Sequence, residues 1–165
     1  MNTRAAVAFT GPSGSGKTTL VEKVSKSMIK NSRVAIIKND PKDKAIFDVA
    51  GKDSDKFTKT GAEVVITSPT RTTYFSQKEK TLDDIVAMIN DFDILLVEGL
   101  KTLPLPRIAV FRNKIDLDYL SCSEAIAIDD SIDIEKYDIP NSIDILDLNN
   151  TLQIIEWIKN NSKEL

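Results

Sequence analysis

The sequence predicts an α/β fold: a mostly parallel β-sheet with helices on both faces. Two observations carry this reading. Short apolar runs of strand length alternate with helical patterns through all 165 residues, the order expected when each strand is followed by a crossover helix. The apolar run Ala5–Thr10 also passes through Gly11-Pro12-Ser13-Gly14-Ser15-Gly16-Lys17-Thr18 straight into the helix opening Thr19-Leu20-Val21-Glu22-Lys23-Val24. That glycine-rich stretch fits G-x-x-x-x-G-K-[ST] at every fixed position, in the strand–loop–helix setting the pattern requires.

The chemistry of that loop follows from its residue types. Backbone N–H groups of Gly11, Ser13, Gly14, Ser15 and Gly16 point inward at phosphate oxygens, and the helix N-terminus adds partial positive charge. Lys17 would reach the β- and γ-phosphates, the Thr18 hydroxyl would ligate Mg²⁺, and Thr19 closes the cradle. The fold expected is therefore P-loop NTPase-like, in a single domain spanning 1–165.

The remaining elements follow in order. Strands are expected near 4–10, 33–38, 63–67, 71–76, 93–98, 107–112 and 125–129, and helices at 17–30, 53–60, 81–91 and 150–161. Thr81-Leu82-Asp83-Asp84 begins a helix well, with a capping hydroxyl and two acids in the first turn. Leu152, Ile155 and Ile158, with Trp157 on the flank, give the last helix an apolar stripe for the core. Residues 39–53 are polar, and a loop of that length is usually functional. Leu103-Pro104-Leu105-Pro106 is too apolar for a simple surface linker and reads as a rigid loop on the core, a lid or a docking segment.

Composition narrows the chemistry. The chain contains no histidine, which removes histidine bases and histidine-bound metals. Cys122 is the single cysteine, so no disulfide framework exists and a cytoplasmic setting is expected. The first residues lead directly into a strand, without a signal-peptide pattern, and no run of about 18 apolar residues suits a membrane span. Net charge is −3, but residues 1–112 hold 18 Lys/Arg against 13 Asp/Glu (+5), while 113–165 hold 4 against 12 (−8). That asymmetry suits a basic side for phosphorylated ligands and an acidic side for a partner. Nucleic acid is not expected, because no basic patch carries interleaved aromatics.

Asp93-Ile94-Leu95-Leu96-Val97-Glu98-Gly99 reads as a buried parallel strand ending in an acid. Ligands of doubly wound sheets bind beyond the carboxyl ends of the strands. Glu98 would therefore lie beside the loop and hold Mg²⁺, usually through water, or orient an attacking water. Asp40, after the second strand, lies on the same edge and is a further candidate for the Mg²⁺ shell. Lys52 and Asp53 are candidates near the substrate, although Asp53 or Ser54 would equally cap a helix. Two places suit a reader of the base. Asn113-Lys114-Ile115-Asp116 matches the N-K-x-D pattern, with Asp116 accepting from guanine N1–H and the exocyclic amine. Asp129-Asp130 ends the apolar run Ala125–Ile128. Hydrolysis would be slow, since no evident base or arginine finger stands in the sequence; Arg112 and Arg71 are the candidates for an in-cis positive charge.

Taken in order, these segments resemble the MobB family of molybdopterin-guanine dinucleotide biosynthesis adaptors. The resemblance rests on Gly11–Thr18, Ala35-Ile36-Ile37-Lys38, Gly51-Lys52-Asp53-Ser54 with Gly61-Ala62, Leu96-Val97-Glu98-Gly99-Leu100-Lys101 and Arg107–Arg112, and extends through Ala125–Asp130, Asp144–Leu148 and Glu156-Trp157. It implies GTP with Mg²⁺, slow GTP hydrolysis, a homodimer, and partnership with MobA, the guanylyltransferase that joins GMP to molybdopterin, either assisting that step or delivering its dinucleotide product. By strand order it favours Asp129 and Asp130 over Asp116 as the base position. The chain departs from the family after the second strand, where a histidine-rich stretch is usual: here Asn39-Asp40-Pro41-Lys42-Asp43-Lys44 stands instead, so no histidine role in pterin or metal binding carries over. Two other readings share the P-loop. One is an ATP-dependent small-metabolite kinase using Asp40 or Glu98 on an acceptor hydroxyl, disfavoured by only five arginines. The other is a metal-delivering GTPase, disfavoured by the lack of histidine and the single cysteine.

Overall fold

The structure, a computed structural model, describes residues 4–165. The elements in chain order are β1 (Ala5–Thr10), α1 (Lys17–Met28), β2 (Val34–Lys38), α2 (Asp53–Thr58), β3 (Val64–Thr67), β4 (Thr72–Phe75), α3 (Leu82–Ile89), β5 (Ile94–Glu98), β6 (Arg107–Val110), β7 (Ala125–Ile128), β8 (Asp144–Asp147), α4 (Thr151–Asn161) and β9 (Lys163–Glu164), with 3₁₀ turns at Leu117–Cys122 and Ile134–Lys136. They form two compact units. One takes the chain up to Asn39 and again from Asp91 to Leu165; the other is Asp40–Asn90.

The first unit holds a seven-stranded sheet in the order β2-β5-β1-β6-β7-β8. These six strands pair in parallel throughout. The exception is β9, which runs antiparallel against Ala5 and Ala6, beside the start of β1 where β6 no longer reaches. Side chains alternate between faces, as the pleat requires. Val7, Phe9, Ile94, Leu96, Ile108 and Val110 pack with Leu20, Val21 and Val24 of α1 and Ile154, Ile155, Trp157 and Ile158 of α4. On the opposite face Ala109, Phe111, Ile126, Ile132 and Ile143 form a second core, covered by Tyr119, Leu120 and Ile134 of the 3₁₀ turns. The mostly parallel sheet with helical segments on both faces is thus the P-loop NTPase-like arrangement expected. β1 and β5 read as unbroken apolar runs because the sheet is buried on both sides.

The second unit contains a β-hairpin, β3 against β4, with Val64 opposite Phe75 and Thr67 opposite Thr72. Its turn is closed by Ser68, whose N–H donates to the Arg71 carbonyl while its hydroxyl accepts from the Arg71 N–H. α3 starts with the cap expected of Thr81, and the structure completes it as a capping box: the Thr81 hydroxyl accepts from the Asp84 N–H, and the Asp84 carboxylate accepts from the Thr81 N–H.

Two local expectations are corrected. β8 and β9 were not among the expected strands; both are short and polar at their ends, and pairing with β7 and β1, not propensity, makes them strands. In α4 the buried arc is Ile154, Ile155, Trp157 and Ile158, whereas Leu152 is 75 % exposed. The stripe is rotated because Trp157 turns inward, its indole N–H donating to the Asp144 carboxylate of β8 at 2.7 Å. No described helix is long and apolar enough to cross a membrane.

Ile154 is fully enclosed, so Ile154→Ala is expected to cost about 2–5 kcal/mol and to lower Tm by roughly 5–15 °C. Leu152→Ala is expected to stay within about 0.5 kcal/mol of the parent chain. Thermal melts of the two variants side by side check both.

Candidate functional site

Beyond β1 the chain turns through Gly11, whose φ is +133°. A Cβ there would come within 2.4 Å of the Val110 carbonyl oxygen on β6, so only glycine permits this turn. The loop then wraps the N-terminus of α1. Ser13 and Gly14 form its exposed crest, while Ser15 is buried. The Ser15 hydroxyl has no hydrogen-bond partner among the described residues. A buried donor without a partner inside a loop of inward N–H groups suits an incoming phosphate oxygen.

Lys17 folds back over the loop, donating to the carbonyls of Gly11 at 2.9 Å and Pro12 at 2.7 Å. Its pKa is lowered mainly by burial; the Glu98 carboxylate opposes that shift, and the charges of Lys38 and Lys101 reinforce it. Thr18 donates to both carboxylate oxygens of Glu98, at 3.1 and 3.2 Å. Glu98 ends β5, is 8 % exposed, and also accepts from Lys38 Nζ at 2.8 Å. The parallel register makes this meeting: Glu98 stands opposite Phe9 of β1 on one side and Lys38 of β2 on the other. Lys17 feels one carboxylate, Glu98, against the charges of Lys38 and Lys101, which leaves the place cationic, fit for a polyphosphate. A hydroxyl beside a carboxylate is the hard oxygen donor pair that Mg²⁺ takes, with water and phosphate filling the rest of its shell.

The other side of the loop is bounded by Arg112, two residues past β6. Its guanidinium lies against Gly16: a Cβ built there would be 3.4 Å from Nε and 3.8 Å from Nη2. Nε also pairs with Asp129 just beyond β7, at 3.2 Å. The second oxygen of Asp129 accepts from the Ser131 N–H and hydroxyl, and the Ser131 hydroxyl accepts from the Asn113 N–H at 2.8 Å. Asp129 is held below the usual carboxylate range, first by the Ser131 hydroxyl, then by the Ser131 N–H and the charge of Arg112.

The structure thus joins Lys17, Thr18 and Glu98 with the loop residues Gly11 to Gly16, as the sequence predicts. Thr19 follows on α1 and is exposed. Asp116 sits apart in role: its side chain caps the 3₁₀ turn that follows it, accepting from the Asp118 N–H at 3.2 Å. Asp130 is exposed at the end of β7. Asp40 belongs to the second unit, where its carboxylate closes a turn by accepting from the N–H groups of Lys44 and Ala45 at 2.7 and 2.6 Å. Arg71 also lies there, in the hairpin turn, and so do Lys52, which precedes α2, and Asp53, its first residue, whose carboxylate accepts from Lys56 Nζ at 3.3 Å. Sequence reasoning missed Lys38 as a partner of Glu98, and missed the Arg112–Asp129–Ser131 chain. Lys38 was visible as the last residue of an expected strand; its pairing needed the strand order.

The profile of the family described as "Molybdopterin guanine dinucleotide synthesis protein B" matches residues 6–129. The chain belongs to the MobB family. It is 31 % identical over 163 residues to the molybdopterin-guanine dinucleotide biosynthesis adapter protein of Haemophilus influenzae, covering 93 % of this chain and 87 % of that one. Against the Escherichia coli adapter it is 29 % identical, with 93 % of each chain covered. The Bacillus subtilis MobB crystal structure superposes with a TM-score of 0.76 at 17 % identity, over 96 % of this chain and 98 % of that one. This last likeness is one of fold. The matched segment runs from β1 to Asp129, so it takes in the phosphate loop, Glu98, Arg112 and Asp129.

Gly11→Ala forces a methyl against the Val110 carbonyl and is expected to lower Tm by several degrees. Gly14→Ala meets nothing within 4 Å but keeps a φ of +77°, and is expected to cost only about 1 kcal/mol. Denaturant unfolding of both variants tests the order.

Proposed function

We propose that this MobB-family chain is a GTP-binding adapter in molybdopterin guanine dinucleotide biosynthesis. The observation that carries the reading is the meeting of Lys17, Thr18 and Glu98 on a complete phosphate loop at the carboxyl edge of the sheet. Gly11 to Thr19 would hold the triphosphate and Lys17 its β- and γ-phosphates. Thr18 and Glu98 would hold Mg²⁺, which supplies charge neutralisation of the phosphates when bound. Glu98, paired with Lys38, is the group nearest in kind to a water-orienting carboxylate, and any GTP hydrolysis would run slowly on this set.

For the base, Asp130 is preferred to Asp116. Asp116 is engaged in capping its own turn and Asp129 in holding Arg112 and Ser131, whereas Asp130 is exposed at the strand end. A carboxylate there would accept from the two adjacent donors of guanine. Family membership supports a reading of the partners as a MobA-like guanylyltransferase, molybdopterin or its guanine dinucleotide, and a second copy of this chain in a homodimer, in a cytoplasmic setting. The acidic stretch 113–165 is the surface we assign to the protein partner.

Calorimetric titration with GTP and ATP, each with Mg²⁺, tests the reading. GTP is expected to bind at least tenfold tighter, about 1.4 kcal/mol, with binding lost in Lys17→Ala. Asp130→Asn is expected to move the preference from GTP to XTP, and Asp116→Asn to leave it unchanged. Equal or tighter ATP binding would refute the guanine assignment.

Lys17 adds a pH signature. Its pKa is depressed in the free protein, and a bound phosphate restores the ammonium, so the complex holds more protons than the free components. Affinity is therefore expected to be greatest below the free-protein pKa and to fall as pH rises through it. Titrations between about pH 7 and 10, in two buffers of different ionisation heat, should show proton uptake that disappears in Lys17→Met.

A further inference from the structure

Two cations lie along the phosphate loop in different ways. Lys17 belongs to the loop itself. Arg112 is brought to it from β6 and is aimed by a carboxylate from a third strand, β7. Nothing in the loop chemistry requires that arrangement. A half-exposed ion pair contributes little to stability, yet here one carboxylate accepts from the Ser131 N–H and hydroxyl through one oxygen and is ion-paired with Arg112 through the other. Ser131 is in turn fixed by the Asn113 N–H, and Asn113 holds a φ of +63°. The product of this buttressing is one guanidinium, half exposed, lying 3.4–3.8 Å from where a Cβ of Gly16 would stand. Nε pairs with Asp129, and Nη2 also lies against the loop, 3.8 Å from that Cβ position.

We propose that Arg112 is a nucleotide-contacting residue, and that Asp129 is its positioning residue and not a reader of the base. The contact is assigned to the α-phosphate. Gly16 precedes the lysine that serves the β- and γ-phosphates, and the β7 end carries Asp130 on the base side, so Arg112 stands between triphosphate and base. A guanidinium can give one N–H to a carboxylate and its remaining fork to a phosphate. The inference rests on the GTP-binding reading above and adds a residue pair to that site.

The test uses the full chain with Mg²⁺, measuring GTP and GDP directly by calorimetry and GMP by competition against a fluorescent GDP analogue. Arg112→Ala is expected to weaken all three by a common factor of roughly ten to a hundred, the scale of one charge-assisted hydrogen bond. Asp129→Asn is expected to weaken them similarly while leaving the GTP:XTP preference intact. The double variant should be no weaker than Arg112→Ala alone, because both changes remove one contact. Arg112→Lys should recover little, since an ammonium lacks the fork. Thermal melts without nucleotide are expected to move by no more than a degree or two for Arg112→Ala. A loss confined to GTP would place Arg112 at the γ-phosphate and overturn the assignment, as would unchanged affinities, additive single effects, or an altered base preference in Asp129→Asn. If the unaltered chain binds neither GTP nor GDP, the parent reading fails and takes this one with it; any of the other outcomes overturns this inference alone.

Discussion

The parallel pairing of β5 between β1 and β2 is the constraint on which the site depends. In a parallel sheet the carboxyl ends of all strands lie on one edge, so whatever ends each strand meets its neighbours there. Here the ends are Thr10, running into the phosphate loop, Glu98, and Lys38. Because β5 is buried along its whole length, its terminal carboxylate arrives at the edge with little access to water. A buried carboxylate must be paired and hydrogen-bonded, and the ammonium of Lys38 and the hydroxyl of Thr18 meet that need. The same arrangement prepares the donors that a polyphosphate and its divalent cation require.

A second consequence concerns electrostatics. Lys17 is partly buried among other lysines, so its charged state is disfavoured until an anion arrives. In the structure its ammonium is satisfied by two carbonyls of its own loop. The site is therefore held ready with its cation turned inward on backbone oxygen atoms. Glu98 is the carboxylate that moderates this excess, which gives it a part in holding the loop together as well as in binding.

The opposite flank obeys a different logic. β6 and β7 end without a long helix to carry them away; instead the chain turns sharply through Arg112–Asp116 and Asp129–Ser131. These tight turns bond to one another through the Asn113 N–H, Ser131 and Asp129. Rigid turns bonded side by side fix a guanidinium better than either would alone, as side-chain networks generally do. The acidic character of the last third is thus partly internal: Asp116, Asp129 and Asp144 are each tied to a nearby donor.

The sequence by itself determined the phosphate loop, because its glycines, lysine and threonine act through local backbone geometry. It determined the strand ending in Glu98 and the capping of α3, since unbroken apolar runs and first-turn acids are local signals. It determined the family through motifs that stand in order along the chain. Tertiary structure alone decided which strand lies beside which. For that reason only the folded chain shows Lys38 on Glu98, Arg112 across Gly16, and Asp129 occupied while Asp130 stays open. It also decided β8, β9 and the inward turn of Trp157, because a short polar-ended strand exists only once a neighbour pairs with it, and a helix's buried face is chosen by what it packs against.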